Sequence, residues 1–329
     1  MSKVDKMKRG LVLVLLFFGV YGCSQSGRQG SYRIMFYNTE NLFHPSDDSL
    51  TMDDEFTPEG SRHWSFYRYW KKIAAIDKVI LAAGEGSPPE VIGLCEIENR
   101  QVLDDLVAHP LLLKYGYKIV HRDSPDPRGI DVAFLYRKDF DPLDYKFHKL
   151  SFPDSFSETR EILHVRGVFK MKDTVDFIVN HWTSRYGGVV SSASKRAFQS
   201  ETVEQIIDSL QKSRNASLII AMGDFNDNPS SLSISRLTER QIVRLPEQSY
   251  SSDAVEGSYK YQGRWETIDH FLIATTEDMS NFSGSVFSLP HLVEPDDRYT
   301  GVKPSRTYIG YSYHGGVSDH LPVLLDIIR

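Results

Sequence analysis

The chain of 329 residues is 40% hydrophobic and 25% charged, with a formal net charge of -6. A full apolar core is within reach of that composition, and the acidic balance argues against a protein held to nucleic acid by a broad basic surface. A nuclease with a small local site remains compatible with it.

The N-terminus reads as a targeting segment. Lys3, Lys6, Lys8 and Arg9 form a basic start, and residues 11–20 form an apolar stretch too short to span a bilayer but of signal-sequence length. Gly22-Cys23 follows and resembles a bacterial lipoprotein cleavage site, although Tyr21 is bulkier than the usual residue there. The expectation is a signal peptide over residues 1–22, a lipid on Cys23 that ties the chain to a membrane, a polar tether over 23–31 and one domain over 32–329. The protein is then expected in the cell envelope, lipid-anchored, facing the periplasm or the outer membrane, as a monomer. An ordinary signal peptide with an incidental cysteine is the alternative. With Cys23 lipidated, Cys95 has no disulfide partner, and its apolar surroundings mark it as a small buried hydrophobe.

Apolar and β-branched runs predict strands over residues 32–37, 91–97, 118–121, 132–137, 164–170, 175–181, 218–223, 267–274 and 322–328. Asp53-Asp54-Glu55 lacks the spacing of an EF-hand calcium loop and reads as solvated loop. Phe66, Trp70, Ile73, Ile76, Asp77 and Ile80 recur with a period near 3.6 and predict a helix. Its aromatic neighbours Trp64, Phe66, Tyr67, Tyr69 and Trp70 are assigned mostly to the core. Ala197, Phe198, Val203, Ile206, Ile207 and Leu210 predict a second helix over 194–213. Many strands with few helices suggest two packed sheets with helices outside.

Six predicted strands carry polar residues at or near an end. Gly223-Asp224-Phe225-Asn226 closes the apolar run over 218–222, where glycine is expected to let the backbone turn. Asn38-Thr39-Glu40-Asn41 follows the first strand, and Glu96 ends the run Gly93-Leu94-Cys95. Asn180-His181 closes the run over 175–179, Asp269-His270 interrupts an apolar run, and Ser318-Asp319-His320 precedes the last strand. Buried polar groups are costly unless they have partners or a task. Each has an ordinary reading as a satisfied buried group, but together they make a chemical inventory. Carboxylates with an asparagine and few thiols suit Mg²⁺ or Mn²⁺. Histidines add donors for an anion. Hydrolysis of a phosphate ester needs that combination.

In this order the six strings resemble the endonuclease/exonuclease/phosphatase superfamily. That family includes pancreatic-type deoxyribonucleases, abasic-site endonucleases, bacterial sphingomyelinases and inositol-polyphosphate 5-phosphatases. The likeness runs from about residue 32 to residue 329. It implies a four-layered α/β sandwich, with two packed, mainly antiparallel or mixed β-sheets flanked by helices. It implies a metal beside Glu96, with Asn38, Glu40 and Asp319 on the metal side. Glu40 stands where only some members have an acid. Asp224 matches the residue that orients or deprotonates water, and Asn226 a phosphate contact. His181 and His320 match the anion donors, and Asp269 the acid behind His320. The expected activity is Mg²⁺-dependent hydrolysis of phosphodiesters by in-line water attack, endonuclease-like. A phosphomonoesterase or a lipid or inositol phosphoesterase is the alternative, and a non-catalytic surface-binding lipoprotein the second. Asp131 reads as a strand-edge charge, with orientation of His181 as its alternative role. Arg128 and Arg306 read as solvated, with phosphate contact as their alternative role. Residues 314–317 read as a flexible approach to Ser318.

Overall fold

The structure, a computed structural model, describes residues 31–328 apart from 153–157, 171–172, 187, 215 and 217. The expected signal peptide, Cys23 and nearly all of the tether lie outside the described residues. In chain order the strands are β1 (Ser31–Leu42), β2 (Val91–Ile97), β3 (Lys118–Val120), β4 (Asp131–Tyr136), β5 (Phe140–His148), β6 (Ile162–Phe169), β7 (Thr174–His181), β8 (Leu218–Asp224) and β9 (Glu247–Tyr250). They continue with β10 (Tyr259–Tyr261), β11 (Arg264–Glu266), β12 (Asp269–Thr275), β13 (Phe282–Val286), β14 (Val293–Pro295), β15 (Val302–Pro304), β16 (Tyr308–Ile309), β17 (Ser312–Tyr313) and β18 (Val323–Ile328). The α-helices are α1 (Phe66–Ala83), α2 (Arg100–Ala108), α3 (Val189–Arg214) and α4 (Leu232–Glu239).

Seven strands form one sheet in the order β3-β4-β2-β1-β18-β13-β9, and five form a second in the order β12-β8-β7-β6-β5. Both are mixed: β1 runs parallel to β2 and antiparallel to β18, and β8 parallel to β7 and antiparallel to β12. Strands β7, β8 and β12 of the second sheet are buried on both faces, which is why they read as nearly continuous apolar runs. On β8, Leu218, Ile220 and Met222 enter the core shared with the first sheet, while Ile219 and Ala221 pack with α3 and α4. β12 repeats this with Phe271 and Ile273 against Leu272 and Ala274. The layers are therefore helix, sheet, sheet, helix, as the four-layered expectation has it. Each aliphatic side chain fully buried in this way contributes about 1.5–3 kcal/mol.

Helix α1 starts at Ser65, whose Oγ accepts from Arg68 N at 3.4 Å. Its buried stripe is Tyr69, Ile73, Ile76 and Ile80, with Trp64 buried just ahead of it. The aromatic group is thus split: Phe66, Tyr67 and Trp70 are exposed, because Phe66 and Trp70 share a face one step around from that stripe. Helix α3 begins five residues earlier than its apolar period suggests. Strand β5 has no apolar signature, since it is the edge of the second sheet, mostly solvent-facing and bulged beside Pro142. Among the described residues no helix is long and apolar enough to cross a membrane.

Candidate active site

Register assembles the site. β7 and β8 pair in parallel with His181 opposite Asp224, and β8 and β12 pair antiparallel with Asp269 opposite Asp224. Three polar residues thus stand side by side at the ends of three strands. Gly223 lies within β8 and makes no turn. A Cβ there would come within 2.4 Å of Asn180 O, so glycine is needed for the close approach of β7.

The first sheet contributes through a bulge. β1 and β2 run in register up to Asn38 and Cys95, and the pairing shifts beyond them. Inside the break Glu40, Asn41 and Glu96 take φ values of 51, 53 and 59°, uncommon for residues with a Cβ and a mark of a site held by its surroundings. The break aims Glu96 at the second sheet. Its Oε2 accepts Asn41 N at 2.8 Å. Among the described residues its Oε1 has Asn38 Nδ2 at 3.4 Å and His181 Nε2 at 3.9 Å.

Asp224 is the hub. Its Oδ2 accepts Asn38 Nδ2 from the facing sheet at 3.0 Å, and its Oδ1 accepts Asn226 N at 2.9 Å. His181 Nε2 and His320 Nε2 each lie 3.8 Å from Oδ2. Asn226, at φ 52°, points its Nδ2 at Trp182 O, 3.1 Å away. His320 Nδ1 meets Asp269 Oδ2 at 2.9 Å, and Ser258 Oγ donates to the same oxygen at 2.6 Å. Ser318 Oγ donates to Asn38 O at 2.8 Å and accepts His320 N at 3.0 Å. Arg160 donates to the carbonyls of His181 and Trp182 at 2.9 and 2.6 Å. Two groups of donor atoms, each within 4.8 Å of one another, share Asp224: Cys95–His181–Asp224 and Asp224–Asp269–His320. Cys95 is fully buried, as expected, and burial together with the Asp224 charge pushes its thiol up.

The electrostatics separate the two histidines. Burial, with the charges of Arg160, Arg128 and His320, pushes His181 well below the ordinary imidazole range, so it is neutral, and its Nδ1 has no partner. Burial opposes charge on His320 too, but Asp269 and Asp224 outweigh it and raise His320 well above that range. Burial raises Asp224 to about 7, with His320 pulling it down and Asp269 pushing it up.

Asp319 and Glu40 form a second tier. Asp319 Oδ2 accepts Arg306 Nη2 at 2.7 Å. Glu40 accepts Thr307 N at 2.6 Å and Tyr308 N at 3.3 Å on its two oxygens. Burial and the Asp319 charge raise it to about 7. Lys72, in α1, reaches beneath to Glu40 O and to Thr307 Oγ1. Arg306 is therefore paired at the site rather than solvated, and Arg128 donates to Asn41 Oδ1 at 3.1 Å.

Three expectations are corrected. Asp131 is not a bare strand-edge charge, nor does it orient His181: its oxygens take Ser124 N at 2.9 Å and His121 Nε2 at 3.3 Å. Residues 314–317 are pinned rather than a loose approach, since Val317 N donates to Ser305 O at 2.8 Å and a Cβ on Gly316 would lie 2.1 Å from that oxygen. Asp53 is not solvated but 1% exposed. Ser258, Arg160, Lys72 and Thr307 were invisible as site residues, because nothing in their neighbouring sequence marks them as partners of strands far away in the chain.

The profile of the Endonuclease/Exonuclease/phosphatase family matches residues 33–329. No curated protein gives a significant match. Among solved structures, an endonuclease/exonuclease/phosphatase family protein from Bacteroides thetaiotaomicron is 17% identical, with a TM-score of 0.60, covering 91% of this chain and 98% of that one. A mannosyl-6-phosphatase from the same organism is 16% identical at a TM-score of 0.58, covering 91% and 100%. Truncated TDP2 from Caenorhabditis elegans is 16% identical at 0.56, covering 91% and 98%.

Proposed function

The chain belongs to the endonuclease/exonuclease/phosphatase family of metal-dependent phosphoester hydrolases, and from that premise we propose that it hydrolyses phosphodiesters by direct attack of water, as an endonuclease-like enzyme. The observation that carries this reading is the setting of Asp224: 2% exposed, gripped by Asn38 of the facing sheet and by the Asn226 amide just past β8, with two imidazoles 3.8 Å away.

Asp224, raised to about 7, is a proton acceptor of suitable strength near neutral pH. It orients the water and takes its proton as the new P–O bond forms and the bond to the leaving oxygen breaks. Charged His320 donates to a non-bridging phosphoryl oxygen, with Asp269 and Ser258 fixing its ring. Neutral His181 and Asn226 line the opposite side. No covalent enzyme intermediate is required. Glu96 Oε1, the carboxylate oxygen without a close donor, fits a divalent cation, with Asn38 and Asp319 beside it. The oxygen-rich set suits Mg²⁺ or Mn²⁺, which would neutralise charge on the phosphoryl and leaving oxygens. Glu40, with both oxygens on loop amides, positions the Arg306–Tyr308 segment in this reading rather than ligating.

The second reading, a sugar or other phosphomonoesterase, rests on the structural likeness to a mannosyl-6-phosphatase. Turnover of bis-p-nitrophenyl phosphate and plasmid DNA should be compared with that of p-nitrophenyl phosphate, mannose 6-phosphate and lipid headgroup esters, with Mg²⁺ and with EDTA. Monoester turnover alone favours the second reading. No EDTA-sensitive hydrolysis of any of them leaves a non-catalytic binding lipoprotein.

A further inference from the structure

The loop between β1 and α1 folds a second acidic centre beside the first. Asp53 and Glu98 are 1% and 3% exposed. Each has one oxygen held by a backbone amide: Asp53 Oδ2 accepts Asp48 N at 3.1 Å, and Glu98 Oε2 accepts His44 N. The other oxygen of each, Asp53 Oδ1 and Glu98 Oε1, is buried, and no donor group among the described residues reaches it. The two carboxyls are close enough to share a hydrogen bond when one is protonated, which together with burial raises Glu98 to about 8, and the charges of Asp53 and Asp48 push it the same way. Among the described residues no basic side chain pairs with either. With both outer oxygens anchored and both inner oxygens without another donor, such a pair either shares a proton or, when both groups are ionised, is costly. A hard cation between them removes that cost. An open depression of about 540 Å³, rimmed by Asp47, Asp54 and Glu59, borders the same loop and offers an acidic approach.

We propose that Asp53 and Glu98, with Asp48 at its edge, form a structural Ca²⁺ site distinct from the catalytic centre. Calcium fits better than magnesium. The pair is shut away from solvent, where Mg²⁺ would have to shed the waters it keeps, whereas Ca²⁺ accepts loop carbonyls in irregular geometry. The site ties the 44–53 loop to the end of β2. Glu98 N donates to Leu42 O at 3.2 Å and Glu96 is two residues away, so the ion would brace the bulge that aims Glu96.

The test uses protein carrying Glu96→Gln and Asp319→Asn, which removes the carboxylates assigned to the catalytic metal. Calorimetric titration with Ca²⁺ should give one ion per chain, with a rise in Tm that EDTA reverses. Adding Asp53→Asn or Glu98→Gln should weaken binding at least about tenfold, since one of the two enclosed carboxylate charges is lost. Tb³⁺ offers a readout that needs no further variant. Trp64 Nε1 donates to Phe43 O at 2.8 Å, one residue from the His44 amide on Glu98, so light absorbed by Trp64 should sensitise bound Tb³⁺. Absence of both Ca²⁺ heat and Tb³⁺ emission in that background overturns the proposal, and so does binding unchanged by both carboxamide variants. In either case the pair shares a proton instead.

Discussion

Asn38 Nδ2 donates to Asp224 Oδ2 across the gap between the two sheets, at 3.0 Å. Asn38 is on β1 of one sheet and Asp224 ends β8 of the other, 186 residues later. The same amide nitrogen lies 3.4 Å from Glu96 Oε1. One carboxamide therefore sets the distance between the proposed water-handling group and the proposed metal ligand.

Asp224→Asn keeps the shape and removes the base. Turnover of bis-p-nitrophenyl phosphate should fall by about 10²–10⁴, with Tm little changed. Turnover near the wild-type rate would end the assignment of Asp224.

Ser258→Ala tests a positioning residue. The hydroxyl donates to Asp269 at 2.6 Å and accepts the Ile268 and Asp269 amides at 3.3 and 3.2 Å. Losing a buried partner costs about 1–3 kcal/mol. We expect kcat to fall about tenfold or more while KM holds, and Ser258→Thr to recover part of it. Equal losses in kcat and Tm with no rescue would mark Ser258 as merely structural.

Activity should fall as pH drops through the Asp224 range, which burial raises to about 7, because the acceptor must be ionised. The His320 charge holds Asp224 down. Removing it in His320→Gln lets Asp224 keep its proton to higher pH. The acid limb of kcat/KM against pH should move towards alkaline pH, on top of a lower rate. A limb that stays or moves the other way contradicts the coupling.

Asp77 of α1 governs stability rather than rate. Burial raises it to about 8, and its Oδ2 lies 2.5 Å from His109 Nδ1 at the end of α2. The folded chain keeps this proton while the unfolded chain releases it above the usual carboxyl range near 4. Stability from this group is therefore greatest at low pH and declines as pH rises from about 4 to about 8, by about 1.4 kcal/mol per unit. Urea unfolding at pH 5 and pH 8 should show a smaller decline in Asp77→Asn than in wild type. An equal decline would remove Asp77 as its source.

Cys23→Ser tests the anchor. If Cys23 carries lipid, the wild-type chain should label with palmitate and sediment with envelopes, and the variant should do neither. An unlabelled, soluble wild-type chain would leave an ordinary signal peptide.

The sequence by itself determined the family, the two-sheet architecture and most of the strands that carry the site. Each of those strands is a buried apolar run, and a polar residue at the end of such a run stands out against it. It could not determine which polar groups partner which. Nothing in Asp131 says that it meets His121 and not His181, and nothing in Gly257-Ser258-Tyr259 points to Asp269. Nor could it show Asp53 as buried, because Asp53-Asp54-Glu55 is polar throughout and burial comes from the loop closing over Glu98. Such pairings depend on strand register, bulges and the packing of two sheets, and these are set by contacts between residues far apart in the chain. Only the tertiary structure brings Asn38 to Asp224, and only that meeting turns six polar strand ends into one site.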